Sequence, residues 1–195
     1  MKIHTLYFLL FILLIGCRKA ENISRDYIQP EEYEIFSTVL ETFYPIPQKY
    51  HDKILFVLDS TYCPSTYLDT SFSNSLPRYD WKTIKQDYSQ KNRNNSKIDS
   101  GRIFWRVPVC LVSKQNYQKV IRKDSSSIIY RLYKDSLYRS QELIKLSRVG
   151  FDSLKSIAIV HFEFGVPGGG IYGFFVLKKE FKKWVIIKED ASPWI

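Results

Sequence analysis

The sequence is poor in the residues that build metal and redox sites. It contains three Cys, three His and one Met among 195 residues. It has no Cys-x-x-Cys pair, His-Glu-x-x-His helix, EF-hand loop, Walker loop or Gly-x-Ser-x-Gly elbow. Only His51 and His161 lie beyond the first fifty residues to complete a site with cysteine, so we do not expect a zinc site. We therefore predict no metal, no cofactor and no assigned catalytic residue.

The sequence opens with an apolar run that is short for a membrane span. Lys2 precedes an unbroken apolar run of ten residues, Leu6 to Ile15. At about 1.5 Å per residue, a helix of this length covers about 15 Å, roughly half of a bilayer's hydrocarbon core. A basic start, a short apolar run and a small residue are typical of a cleaved export signal. We predict a signal peptide over residues 1–16.

The end of this run resembles the lipobox of bacterial lipoproteins, through Leu14-Ile15-Gly16-Cys17. The resemblance implies that Cys17 becomes the first mature residue and carries acyl chains that hold the protein on a membrane. Arg18 stands where many inner-membrane lipoproteins have Asp, so the resemblance implies sorting to the outer membrane. Residues 17–29 are polar and end at Pro30, which is typical of a tether.

Two cysteines remain beyond Cys17. An exported protein meets conditions that permit disulfides, so Cys63 and Cys110 can pair. The bond would stabilise the fold by about 4 kcal/mol in the chain-entropy model. The sequence does not show whether their Cα atoms approach closely enough, and the pairing stays open.

Positive charge is concentrated in the second half of the chain. Residues 1–100 carry 12 basic and 12 acidic side chains, whereas residues 101–195 carry 17 and 8, which accounts for the net charge of +9. An uneven basic surface attracts anionic partners. For an envelope protein, these partners are an anionic envelope polymer or a protein, besides the membrane reached through Cys17. We expect no nucleic-acid partner.

Residues 30–195 are expected to form one domain with an aromatic-rich core, since the chain is 45% apolar and 16% aromatic. Pro30, two Glu residues and apolar positions three and four apart predict a helix up to residue 43, which Pro45 and Pro47 end. Asp80 predicts the cap of a second helix. Between them, residues 53–59 predict a strand. A further strand over 103–112, interrupted by Pro108, and a short helix near 129–137 are also expected.

The last 53 residues contain four runs typical of strands, over 143–149, 156–164, 171–177 and 183–188. The turns between them are too short for crossover helices, so neighbouring strands must run antiparallel. Both faces of the third run are apolar, which indicates that helices, including the first, cover one side of the sheet. The predicted fold class is α+β, an antiparallel sheet with a C-terminal four-strand meander and a few helices packed on one face.

Three sequence features invite a chemical interpretation. Residues 168–173 match the Gly-x-Gly-x-x-Gly pattern of dinucleotide-binding loops, but a strand follows them where that motif requires a helix. His161 and Glu163 lie two apart on one strand face, which suits an acid–base pair but supplies too few ligands for a metal. Asp59-Ser60-Thr61 follows a strand, where such residues more often form a turn.

The layout of the chain resembles that of a family of uncharacterised secreted bacterial lipoproteins. The resemblance lies in the lipobox, the Asp59-Ser60-Thr61 strand end, the Gly-rich connection, the lysine turn before Trp184 and the final Trp194-Ile195 pair, together with residues 32–37 and 146–151. It implies an architecture and a location in the bacterial cell envelope, but no activity.

From these features we expect a non-enzymatic binding or protective module. Two alternatives stay open. One is an envelope hydrolase that uses Asp59, His161 and Glu163, and the other is a lipoprotein that confers immunity against a toxin.

Overall fold

The computed structural model describes residues 27–43, 55–64, 74–104, 109–121, 143–166 and 169–194. These residues form three α-helices, α1 (Pro30–Phe43), α2 (Trp81–Lys91) and α3 (Lys114–Ile121), and a 3-10 helix at Ser100–Arg102. They also form seven strands, β1 (Leu55–Leu58), β2 (Val109–Val112), β3 (Leu143–Leu146), β4 (Gly150–Phe151), β5 (Ile157–Val166), β6 (Gly169–Glu180) and β7 (Lys183–Trp194). The chain is therefore broadly α+β, with the sheet as its larger part.

The sheet is mixed rather than antiparallel throughout. Its strand order is β2-β1-β3-β5-β6-β7, with β4 paired to β5. β1 runs parallel to both β2 and β3, and every other pair is antiparallel. The prediction of an antiparallel sheet is thus wrong for both pairs that β1 forms. Helix α2 lies between β1 and β2 in sequence, and such a long connection lets two neighbouring strands run in the same direction.

The C-terminal meander is confirmed. β3, β5, β6 and β7 are successive antiparallel neighbours, and a two-residue turn at Phe181 and Lys182 joins the last two strands. The strands are longer than predicted at the carboxyl end, since β6 and β7 each have 12 residues. The Gly-rich segment from Gly169 begins β6 and opens no helix, so it lacks the context of a dinucleotide-binding loop.

Helix α1 covers one face of the sheet, as its apolar spacing predicts. Phe36 and Leu40 are fully buried there against Phe162 and Phe175 in the larger hydrophobic cluster. Burial of each such side chain contributes about 1.5–3 kcal/mol to folding. We call this side of the sheet the α1 face.

Helix α2 covers the opposite side, which we call the α2 face. Ile84 and Tyr88 pack there against Ile159 and Val176 in a second cluster. The Asp80 carboxylate caps this helix, since its Oδ1 accepts a hydrogen bond from Thr83 N at 3.2 Å. The prediction of helices on one face only is therefore wrong. Both faces of β5 and β6 are apolar, and each face needs its own cover.

One buried ion pair links α1 to the loop between β3 and β4. Glu32 and Arg148 have side chains that are 0% and 1% exposed, and Arg148 donates to both Glu32 carboxylate oxygens, at 2.7 and 2.9 Å. Ser96 Oγ and the carbonyl of Tyr27 accept further hydrogen bonds from the guanidinium group. Val149 N also donates to the carboxylate. The buried charges are thus compensated on both sides, as stability requires.

Several predictions concern residues outside the described ranges. These are the signal peptide over 1–16, Cys17, most of the tether over 17–29, the helix near 129–137, and Pro108 in the interrupted strand. In the predicted strand over 103–112, the described strand residues are Val109–Val112.

Candidate functional site

A row of polar side chains crosses four strands on the α2 face. The strand register places Lys145 on β3 opposite Glu163 on β5, Glu163 opposite Tyr172 on β6, and Tyr172 opposite Ser192 on β7. Directly opposed residues of antiparallel strands share a face and lie about 4.5–5.5 Å apart at Cβ. We call these four residues the polar row. It lies beyond the apolar cluster under α2, where the sheet face changes from apolar to polar.

An ion pair forms one end of the polar row. Lys145 Nζ lies 2.5 Å from Glu163 Oε2, and the two side chains are 23% and 27% exposed. Both groups are therefore partly desolvated but still reach solvent. A ligand that approaches this face meets one hydrogen-bond donor group and one acceptor group side by side.

His161 lies next to the polar row and is almost completely buried. Its Nδ1 forms a hydrogen bond with the Tyr62 hydroxyl, and its ring packs edge-on against Phe174 with centroids 4.6 Å apart. The loop after β1 brings Tyr62 to this place, since Tyr62 N donates to the carbonyl of Leu146 on β3. The Tyr172 ring lies 6.2 Å from the imidazole on another side.

These contacts fix the protonation states of the pair. Burial, together with the nearby Lys145 ammonium, lowers the pKa of His161 to about 4, so the imidazole is neutral at physiological pH. Burial and the Glu163 charge raise the pKa of the Tyr62 phenol well above its usual value. The Tyr62 hydroxyl also forms a hydrogen bond with Glu163. In its hydrogen bond with Nδ1 of the neutral imidazole, the donor is set by the tautomer of His161.

The structure brings together His161 and Glu163 but not Asp59. Asp59 is held through its main chain, because its N–H donates to Val112 O and its C=O accepts from Ile98 N, both at 2.9 Å. Within the described residues, its carboxylate forms no hydrogen bond or ion pair with His161 or Glu163. Asp59-Ser60-Thr61 thus forms a strand end, as the turn interpretation predicts.

Cys63 and Cys110 are both free thiols in the structure. Cys63 is exposed and its Sγ lies 3.2 Å from Asn95 Oδ1, whereas Cys110 packs beside Phe56 and Val112 on the sheet. Burial raises the pKa of both thiols. The disulfide that the sequence left open is not formed here.

Sequence reasoning missed Tyr62, Lys145 and Tyr172 as members of this site. Lys145 interrupts an apolar strand, and Tyr172 alternates with apolar residues on β6, which is a weak signal for a polar face. Tyr62 carries no local signal at all. It reaches His161 across 99 residues of sequence through the pairing of β1 with β3.

The described part of the chain holds no cluster of three or more His, Cys, Asp or Glu side chains arranged to bind a metal ion. In the same residues, no helix has the length and apolar character needed to cross a bilayer.

The chain was compared with protein-family models, with curated proteins and with solved structures, and none of the three comparisons finds a match.

Proposed function

We propose that this chain is a lipid-anchored protein of the bacterial cell envelope, in the outer membrane, whose domain binds a ligand without chemical turnover. The anchor rests on the sequence alone, through the leader over 1–16, Cys17 and the tether that follows it. The binding site is the polar row with the neighbouring Tyr62–His161 pair. Residues 30–195 form the single domain that carries this site.

The observation that carries a binding function is the protonation state of the site. A general base that works at neutral pH needs a pKa near 7, whereas the pKa of His161 is about 4. The phenol of Tyr62 keeps its proton, and the carboxylate of Glu163 is paired with Lys145. These groups offer hydrogen bonds but no activated nucleophile.

A hydrolase that uses Asp59, His161 and Glu163 has weaker support. Such an enzyme needs its acid, base and positioning groups within hydrogen-bond reach of one reacting atom. The Asp59 carboxylate is not bonded to the other two residues, and neutral His161 is occupied by Tyr62. The arrangement therefore favours binding over hydrolysis.

The chemistry of the polar row suits a hydroxylated or anionic envelope polymer. Tyr62 and Tyr172 supply ring faces, and Lys145, Glu163 and Ser192 supply donors and acceptors. Binding sites commonly combine apolar contact with a few placed polar groups. The basic excess of residues 101–195 adds a long-range attraction for polyanions. A protein partner is the other ligand class that this surface permits.

The test is equilibrium binding of the purified protein to envelope polysaccharides, peptidoglycan fragments and candidate secreted proteins. We expect saturable binding to one of them, weakened at least tenfold by Tyr172→Ala. Phe104→Ala is the matched control, because Phe104 is an exposed aromatic residue outside the polar row. Absence of saturable binding, or equal weakening by both substitutions, would contradict the proposal.

A further inference from the structure

Two turns at one end of the sheet expose large apolar side chains. Leu154, in the turn between β4 and β5, is 83% exposed, and Phe181, at the tip of the β6–β7 hairpin, is 100% exposed. The turns are neighbours, because Ile157 pairs with Lys178 and Lys179 N donates to the carbonyl of Ser156 at 2.8 Å. We call this part of the molecule the tip surface.

The hairpin turn is strained in a way that favours a functional role. The residues with positive φ other than glycine in the described chain are Lys155, Phe181 and Lys182, and all three belong to the tip surface. A two-residue turn with positive φ at both positions normally carries Asn-Gly or Asp-Gly. Here it carries Phe and Lys instead. Because a bulky residue with positive φ destabilises the turn, folding stability does not explain why Phe181 stands here.

The charges around Phe181 suit an anionic partner. Lys182 and Lys183 are exposed beside it and, among the described residues, form no ion pair. Three further lysines of the tip surface are each paired with a glutamate, namely Lys155 with Glu31, Lys178 with Glu180 and Lys179 with Glu34. The unpaired positive charge therefore lies next to the most exposed aromatic ring.

The chain reaches the domain at this same end. Lys155 Nζ donates to Gln29 Oε1 and to Glu31 Oε1, each at 3.0 Å, so the start of α1 lies against the tip surface. Nine residues lie between Cys17 and Tyr27, and the chain from one to the other spans at most about 36 Å when fully extended. A lipid on Cys17 would therefore attach the domain at the tip surface and keep this end within about 36 Å of the bilayer.

We propose that the tip surface docks on an anionic lipid bilayer, with Leu154 and Phe181 entering the interface and Lys182 and Lys183 contacting headgroups. Aromatic and aliphatic side chains next to lysines are the combination that binds to such interfaces. The inference rests partly on the proposed anchor at Cys17. It adds a second contact, which orients the domain and leaves the polar row away from the membrane plane.

The first experiment uses the full chain with Phe181→Trp, reconstituted in phosphatidylglycerol vesicles whose acyl chains carry bromine as a fluorescence quencher. The matched control is Phe104→Trp, which places the same fluorophore at an exposed aromatic position on another part of the domain. After subtraction of the parent chain's four tryptophans, we expect at least threefold stronger quenching for Phe181→Trp. Equal quenching in the two chains would overturn the proposal. An emission shift that depends on protein concentration without vesicles would indicate a second copy as the occupant, and would also overturn it.

The second experiment tests the charge contribution in the same vesicles. Lys182→Glu/Lys183→Glu in the Phe181→Trp chain should reduce the quenching at least twofold. Lys97→Glu/Lys114→Glu has the same net charge but alters exposed lysines at the other edge of the sheet, and should leave it unchanged. If both double substitutions reduced the quenching equally, a specific contact of Lys182 and Lys183 with headgroups would be contradicted.

Labelled-palmitate incorporation at Cys17, measured on the same samples, separates the two proposals. A labelled chain that shows no selective quenching refutes docking and leaves the anchor intact. An unlabelled chain that is still selectively quenched by added vesicles supports docking and refutes the anchor.

Discussion

The buried pair of Glu32 and Arg148 gives the sharpest test of the fold. In the Arg148→Met chain, the Glu32 carboxylate would remain in the core with only the main-chain donors of Gln29 and Val149. Ser96 and the Tyr27 carbonyl would also lose their guanidinium partner. Removing one member of a buried ion pair costs about 3–5 kcal/mol. We expect a loss of that size in the free energy of unfolding.

The assay is urea unfolding of the Arg148→Met chain beside Lys155→Met. The control removes an ion pair with Glu31 whose side chains are 45% and 30% exposed, and exposed pairs contribute about 1 kcal/mol or less. Glu32→Leu/Arg148→Met removes both charges and should recover part of the loss. If Arg148→Met costs no more than Lys155→Met, the description of the core is wrong.

Three further predictions follow from local geometry. His161 has a folded pKa near 4, below its unfolded value of about 6.5. Its stabilising contribution is therefore present above pH 6.5 and lost as the pH falls through 4, by about 3 kcal/mol in all, and urea unfolding of His161→Phe should lack this dependence. Gly150→Ala should lower the free energy of unfolding by about 2 kcal/mol in the same assay, because a Cβ there would lie 2.8 Å from a main-chain oxygen of α2. Gly101→Ala is the control. Its Cβ would meet only a flexible side chain, so the loss should be less than about 1 kcal/mol. Phe181→Asn/Lys182→Gly should raise the free energy of unfolding by about 1 kcal/mol, because both positions have positive φ. The thermal midpoint should therefore rise, and an unchanged midpoint would contradict the assigned turn.

The sequence predicted the elements whose signals are local. Helix α1 has the bounds that Pro30 and the apolar spacing indicate, and Asp80 caps α2 as expected. The meander followed from turns too short for any other connection. In each case, the element is determined by residues that are close together in the sequence, so the local pattern is enough to predict it.

The parallel strands and the second covered face were not predicted, because they depend on distant segments. β1 and β2 are separated by α2 and about fifty residues, and no local pattern specifies their register. The apolar alternation on β6 indicated two buried faces, but not that α2 covers the second one. Both features depend on contacts between segments that are distant in the sequence.

The candidate site was predicted in part. Alternation along β5 placed His161 and Glu163 on one face, and the structure confirms this placement. Lys145 and Tyr62 joined them through strand pairing and a loop contact. The pKa of His161 depends on burial by those same segments, so its neutral state was beyond the reach of the sequence.

Attachment of lipid to Cys17 is the central claim, and labelled-palmitate incorporation followed by membrane fractionation tests it most directly. We expect the parent chain to take up label and to sediment with membranes, and we expect Cys17→Ser to take up none. Cys63→Ser is the matched control and should behave like the parent chain. Equal labelling of the Cys17→Ser and parent chains would contradict the claim.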